Sequence, residues 1–178
     1  MTIRTPCGAV GHGGHYHSQS PEAYFSHTPG LIVVCPSDPI KTKGLLLSSI
    51  RSKDPVIFLE PKALYRGMEA EVPTEDYELP LFKADVVQEG KDLTLIAYGA
   101  QLQVALQAAE MAKEQGINIE VIDLQTIYPY DHETLSTSLK KTGKCIITHE
   151  APITCGIGSE LSAKLQEECF NYLVHFPF

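Results

Sequence analysis

Two short runs of β-branched and aliphatic residues, Leu31-Ile32-Val33-Val34-Cys35 and Val56-Ile57-Phe58-Leu59, are fenced by Pro29-Gly30, Pro36 and Glu60-Pro61, with a helical segment between them. Runs this short and this apolar read as strands covered on both faces. Two such strands joined through a helix make a βαβ unit in a parallel sheet. Ser37 or Asp38 is expected to cap that helix, which starts at Pro39 and presents Leu45, Leu46, Leu47 and Ile50. Thr2 to Arg4 reads as the tail of a further strand entering the turn Pro6-Cys7-Gly8.

A second α/β series begins near residue 84. Residues 84–88 and 93–98 flank the turn Glu89-Gly90-Lys91-Asp92 and are expected to pair as a hairpin. Leu102, Ala105, Leu106, Ala109 and Ala112 form a helical stripe that Gly116 closes. A strand at 119–123, a helix at 132–142 stopped by Gly143, a strand at 145–148 and a helix at 161–169 follow. The order β-β-α-β-α-β-α is that of an open α/β sheet. Between the two series, residues 62–82 become acidic and proline-punctuated, and such a stretch is longer than most connections inside a compact domain. The expected division is therefore a first domain at 1–66, a linker at 67–83 and a second domain at 84–178. Residues 171–178 have the apolar content of another strand with no helix to cover it. Both ends are expected to cut through a fold.

Composition excludes several partners. Fourteen basic residues against 22 acidic ones give a formal charge of -8, with no basic run to track a phosphate backbone, so neither nucleic acid nor an anionic membrane is expected. No apolar stretch approaches the roughly 20 residues that span a bilayer. Residues 1–6 carry no secretory or transit pattern. Five scattered cysteines (Cys7, Cys35, Cys145, Cys155, Cys169) without a C-x-x-C pair suggest neither a disulfide framework nor a zinc knuckle, and fit a reducing compartment.

The chemistry concentrates in Gly11-His12-Gly13-Gly14-His15-Tyr16-His17-Ser18-Gln19-Ser20-Pro21-Glu22. Glycine permits tight backbone and close ligand approach, while histidine passes protons near neutral pH. Ser20 as cap, Pro21 in the first turn and Glu22 at the positive end of the dipole predict a helix start, which would place His17 just ahead of a helix N-terminus. His12, His15 and His17 raise a metal reading. It is disfavoured, because no carboxylate or cysteine of the segment completes a site and the spacing matches no zinc signature.

The stretches Gly11-His12-Gly13, Tyr16-His17-Ser18-Gln19-Ser20-Pro21-Glu22-Ala23, Glu60-Pro61-Lys62-Ala63-Leu64-Tyr65-Arg66, Val121-Ile122-Asp123-Leu124-Gln125-Thr126-Ile127 and His149-Glu150-Ala151-Pro152 resemble one family closely. It is the beta subunit of the thiamine-diphosphate-dependent 2-oxo acid dehydrogenases, and Gln166-Glu167-Glu168-Cys169-Phe170 is similar to its mitochondrial branched-chain members. The resemblance implies the latter half of a thiamine-diphosphate pyrimidine-binding domain followed by an incomplete transketolase C-terminal-type open α/β sheet. It implies oxidative decarboxylation of branched 2-oxo acids with acyl transfer to lipoyl-lysine. The implied assembly is an alpha2-beta2 heterotetramer in the mitochondrial matrix, served by a lipoyl-bearing acyltransferase core. Thiamine diphosphate would be shared with the alpha subunit, which holds the magnesium, and the glutamate that activates the cofactor would lie upstream of Met1. The isolated chain is then expected to be inactive. The pyruvate-specific sister subunit and a non-catalytic truncated interaction module are the alternatives.

Carried residue by residue, the resemblance makes His17 the imidazole facing the reacting carbon of the cofactor; the plain alternative is a loop histidine bonded to its neighbours. His15 departs from the branched-chain pattern, which has an apolar residue before the tyrosine. The resemblance also implies a potassium ion at Thr2, Ser49, Ser52 and Asp54, bound largely through main-chain oxygens at the C-terminal end of the helix after Pro39. Here serine stands where the family has an aspartate, and Asp54 where it has an asparagine. The same corner also reads as an ordinary helix end and turn. His149-Glu150, between a strand and a helix, reads as an interface or a solvated loop, and Glu60 with Arg66 as a packing ion pair.

Overall fold

In the computed structural model, which describes residues 1–174, the chain forms two four-stranded sheets. The first contains β1 (Thr2–Cys7), β2 (Ile32–Val34) and β3 (Val56–Pro61), with α3 (Pro39–Arg51) crossing from β2 to β3. All three strands run parallel in the order β1-β3-β2. Asp38, not Ser37, caps α3, its side chain accepting the Lys41 N–H at 2.7 Å. The strands alternate strictly. Ile32, Val34, Val56 and Phe58 pack under Leu45 of α3, whereas Val33, Cys35, Ile57 and Leu59 face the second half of the chain. A sheet buried on both sides explains why its strands carry no polar period. Each buried aliphatic or aromatic side chain contributes about 1.5–3 kcal/mol.

The second sheet holds β4 (Asp85–Gln88), β5 (Leu93–Ala97), β6 (Ile119–Asp123) and β8 (Cys145–Ile147). Its order is β4-β6-β5-β8, so the expected hairpin does not form. β6 lies between β4 and β5, antiparallel to the first and parallel to the second. The 89–92 turn instead steps over the start of β6, where Lys91 and Asp92 both donate to the Asn118 carbonyl. The crossing is so close that a Cβ on Gly90 would collide with the Ile119–Glu120 backbone. A turn rich in Gly and Asp suits such a crossing as well as it suits a hairpin, and the sequence does not separate the two. Helices α5 (Gln101–Lys113), α6 (His132–Thr142) and α7 (Ile157–Cys169) cover this sheet. Leu102, Ala105 and Ala109 seat the predicted stripe of α5, and α7 begins four residues before its expected start.

One strand has no counterpart in the sequence reading. β7 (Thr126–Tyr128) leaves the second half of the chain and pairs antiparallel with β2 in the first sheet. Two sheets thus share one core in which Ile57 and Leu59 meet Ile122, Leu124 and Ile127. The end of the expected first domain forms the short α4 (Leu64–Gly67), and the stretch expected to be a linker then lies along α3. Tyr77 donates to the Ile40 carbonyl at 2.7 Å, Ser48 to the Leu79 carbonyl at 2.5 Å, and Arg51 bridges Asp76 and Glu78, each at 2.6 Å. Residues 170–172 make a 3-10 turn rather than a strand, and residues 175–178 of that expectation lie outside the described residues.

Candidate functional site

The His/Gly segment forms a loop between β1 and α2 (Glu22–Ser26). Its neck is closed by the Gly8 N–H donating to the Gln19 carbonyl at 2.8 Å. Inside it, residues Gly14–His17 make a single helical turn, α1, with the His17 N–H donating to the Gly13 carbonyl at 3.3 Å. His17 therefore ends a turn of its own, five residues ahead of the start of α2. Ser20 does not cap α2, because Pro21 takes the cap position and the hydroxyl lies one residue early. Gln19 folds back to donate to the His15 carbonyl at 2.6 Å.

His17 is exposed, with its ring edge-on to Tyr16 at 4.9 Å between centroids. Both line a cleft of about 350 Å³ with Pro6, Val10, Gln19, Pro21 and Lys62. The walls are mostly apolar, and the His17 imidazole, the Lys62 amine and the Tyr16 hydroxyl are the titratable groups among them. Among the described residues no carboxylate lines the cleft.

Beneath the loop the two sheets meet in a small polar cluster. Tyr98, which follows β5 and is 5% exposed, donates its hydroxyl to Glu22, 3% exposed, at 2.8 Å. Burial first, and then the Glu22 charge, push the Tyr98 phenol far above its ordinary range, so it remains a donor. The Tyr98 ring stacks on His149 at 6.0 Å and 21°. His149 Nε2 accepts the Gly158 N–H at 3.2 Å while Nδ1 faces the Ala151 carbonyl at 3.1 Å, an arrangement that requires the Nδ1–H tautomer. Glu150, open to solvent on its outer side, lies against the backbone of Gly8 and Ala9. A Cβ on Gly8, whose φ is +78°, would fall 2.8 Å from Glu150 Oε2. Burial and the Glu22 charge raise the Glu150 pKa, and the Ala9 N–H and Lys62 only partly offset this.

The structure also gathers the predicted cation residues. Thr2 Oγ1 donates to the Ser49 carbonyl at 2.7 Å, the Ser52 N–H approaches the same oxygen at 3.3 Å, and the Asp54 N–H donates to Ser52 Oγ at 3.2 Å. Both lone pairs of the buried Ser49 carbonyl are thus engaged. Glu60 does not pair with Arg66. It accepts from Arg4 Nε at 2.5 Å and from Tyr65 at 2.6 Å, because parallel register sets Pro6 opposite Glu60 and brings Arg4 onto the same face two residues earlier.

Sequence reasoning isolated His17 but missed what surrounds it. It took Glu22 as a dipole partner and His149-Glu150 as an interface or a solvated loop, and it gave Tyr98 no role. A usable signal was present, since Tyr98-Gly99 and His149-Glu150 both sit at C-terminal strand ends, where open α/β sheets place their sites.

Residues 1–68 match the family model for the transketolase pyrimidine binding domain, and residues 82–175 that for the transketolase C-terminal domain. Among individual proteins, the chain is 63% identical over 174 residues to the mitochondrial 2-oxoisovalerate dehydrogenase subunit beta of Dictyostelium discoideum, covering 97% of this chain and 47% of that one. It is 55% identical to the mitochondrial subunit beta 2 of Arabidopsis thaliana, covering 96% and 48%. A Pyruvate dehydrogenase E1 component subunit beta from Staphylococcus epidermidis is 46% identical, with 94% and 51% covered. The chain thus spans about half the length of the relatives it matches. Among solved structures, a split gene transketolase described as an inactive beta4 tetramer superposes with a TM-score of 0.80 at 28% identity, over 99% of this chain and 55% of that one.

Proposed function

We propose that this chain, which belongs to the transketolase family through both of its matched domains, acts as the beta-subunit portion of a thiamine-diphosphate-dependent branched-chain 2-oxo acid dehydrogenase. The observation that carries this reading is the exposed His17 imidazole at the lip of an apolar cleft, in a chain 63% identical to a 2-oxoisovalerate dehydrogenase subunit. The relatives at 63% and 55% identity both carry the 2-oxoisovalerate dehydrogenase name, which favours the branched-chain substrate class. We read residues 1–66 and 84–178 as its two domains.

The cleft lining tests the cofactor. Apolar walls and a proton donor fit the reacting end of thiamine diphosphate, whereas a lining without carboxylates does not fit magnesium. The diphosphate and magnesium then belong to an alpha subunit in an alpha2-beta2 heterotetramer. When bound, thiamine diphosphate supplies the electron sink for loss of carbon dioxide. The role of this chain comes at acyl transfer to the acyltransferase core. There the lipoyl disulfide would be the two-electron acceptor: one sulfur would take the acyl carbon as that carbon leaves the cofactor, the S–S bond would open, and the His17 ring would hand a proton to the other sulfur. The two first-named relatives are called mitochondrial, and the matrix is the proposed compartment. In the assembled complex, His17→Ala is expected to slow acyl transfer to lipoyl groups about 10²–10⁴-fold. Unchanged transfer removes the role.

At the Thr2–Ser49 corner we propose potassium, held by backbone oxygens of the α3 C-terminus and taking the Ser49 carbonyl in place of the Thr2 hydroxyl proton. Adding potassium should raise the melting temperature where equal sodium does not. Equal effects of the two ions would discard the site.

A further inference from the structure

The loop that carries His17 makes few bonds of its own, and its backbone is tied by the Gly8, Gly13 and His17 amides. Both its ends, however, are met from the other sheet. At the exit, Glu22 accepts the Tyr98 hydroxyl with both side chains buried. At the entrance, the Glu150 carboxylate lies on the Gly8–Ala9 backbone. Tyr98 is itself held: its ring lies on His149, whose two ring nitrogens are fixed by the Gly158 amide at the start of α7 and the Ala151 carbonyl. An unbroken chain of contacts therefore runs from the α7 N-terminus through His149 and Tyr98 to Glu22, five residues after His17. Cys7, Gly8, Cys35, Pro61 and Gly99 fill the space around the cluster and leave a cavity that holds no more than about one water molecule.

We propose that Tyr98, supported by Glu150, is a positioning residue for His17: the second sheet clamps the neck of the loop and so fixes where the imidazole stands over the cleft. The geometry gives the clamp one strong and one weak jaw. The Tyr98–Glu22 bond is shielded from water, so its loss leaves a buried carboxylate oxygen without its donor. Glu150 is partly solvated and can be replaced there by water. The functional meaning of the clamp rests on the acid role given above to His17, but its mechanical part does not.

The test uses the full chain and hydrogen exchange. In Tyr98→Phe, exchange at the Gly8, Gly13 and His17 amides should rise about tenfold, the size expected from one lost buried hydrogen bond, with β5 and β6 amides unchanged. Glu22→Gln keeps a carbonyl oxygen for the phenol and should retain wild-type protection. Should Tyr98→Phe also loosen β5, Glu150→Ala carries the test with a smaller rise confined to the entrance of the loop, which Glu150→Gln restores. Equal loop exchange in wild type, Tyr98→Phe and Glu150→Ala overturns the clamp. In the assembled complex, Tyr98→Phe should lower kcat for acyl transfer with little change in KM, and Glu22→Gln should not. The two readings fail separately. If the loop loosens in Tyr98→Phe while His17→Ala transfers acyl groups normally, the clamp stands and the acid role falls.

Discussion

Among the polar contacts between the two sheets in the described residues, two are of opposite character. Beneath the N-terminus of α3, Lys41 Nζ lies 2.9 Å from Asp123 and 2.8 Å from Asp85, and Ser37 donates to Asp123 at 2.5 Å. Asp123 and Ser37 are fully buried, and the Lys41 side chain is 13% exposed. Beneath the His17 loop, the Tyr98–Glu22–Glu150 cluster pairs one neutral donor with two carboxylates that have no buried cation between them. The first contact joins rigid elements, strand to helix. The second joins a strand end to the short α2 and to the neck of the loop ahead of it. Their difference separates two tasks, fixing one sheet on the other and aiming a side chain.

The largest effect should come from the ion pair. Burial opposes the Lys41 charge, but the Asp123 and Asp85 carboxylates outweigh it and hold the ammonium above its ordinary range, while burial pushes the Asp123 carboxyl up against the pull of Lys41 and Ser37. Lys41→Met leaves Asp123 as an uncompensated buried charge, which costs about 3–5 kcal/mol. Urea unfolding at pH 7 measures this, and the loss should shrink in acid as Asp123 takes up a proton. A loss below about 1 kcal/mol would mean that the contact fixes nothing, and the comparison would collapse into two equivalent surface patches.

What could be read beforehand follows the same division. β2, β3 and α3 are local patterns, since Ile32, Val34, Val56 and Phe58 must be apolar wherever the second half of the chain goes. The β4–β5 pairing was misread because a Gly-Asp turn fixes a reversal of direction and not the neighbour; β6, whose Ile119 pairs with Leu93 from 26 residues later in the chain, takes the central place. Thr126-Ile127-Tyr128 is too short to show a period, and its partner β2 lies some ninety residues earlier. His17 drew notice because residues 11–22 gather three imidazoles and three glycines, and its place in the cleft is what the fold adds. Glu22 and Tyr98 were not legible as partners, because a buried hydroxyl–carboxylate bond spanning 76 residues leaves no mark on either local sequence.

The smaller effect concerns pH, and here the two contacts should part company. Burial, and then the Glu22 charge, raise the Glu150 pKa above the ordinary carboxylate range. A raised pKa in the folded protein means that the folded state holds the proton more tightly than the unfolded one. The stabilisation is therefore complete below the ordinary range and is lost as pH rises through the raised value. The groups facing Glu150 are Glu22 from α2, Lys62 after β3, and the cluster side chains Cys7, Cys35, Tyr98 and His149, of which Lys62 opposes the shift. Glu150→Gln removes the titration while keeping the shape and an acceptor for the Ala9 amide. Wild type should accordingly lose melting temperature relative to Glu150→Gln as pH rises above about 4, whereas burial pushes the Asp123 carboxyl up as well, so the effect of Lys41→Met grows with pH as Asp123 ionises and keeps its sign. A wild-type curve parallel to that of Glu150→Gln would mean that solvent already screens Glu150 from Glu22, leaving Tyr98 as the only jaw of the clamp. A difference of opposite sign would place the loop neck in the same ionised class as the Lys41 contact, and the division of labour between the two would be lost.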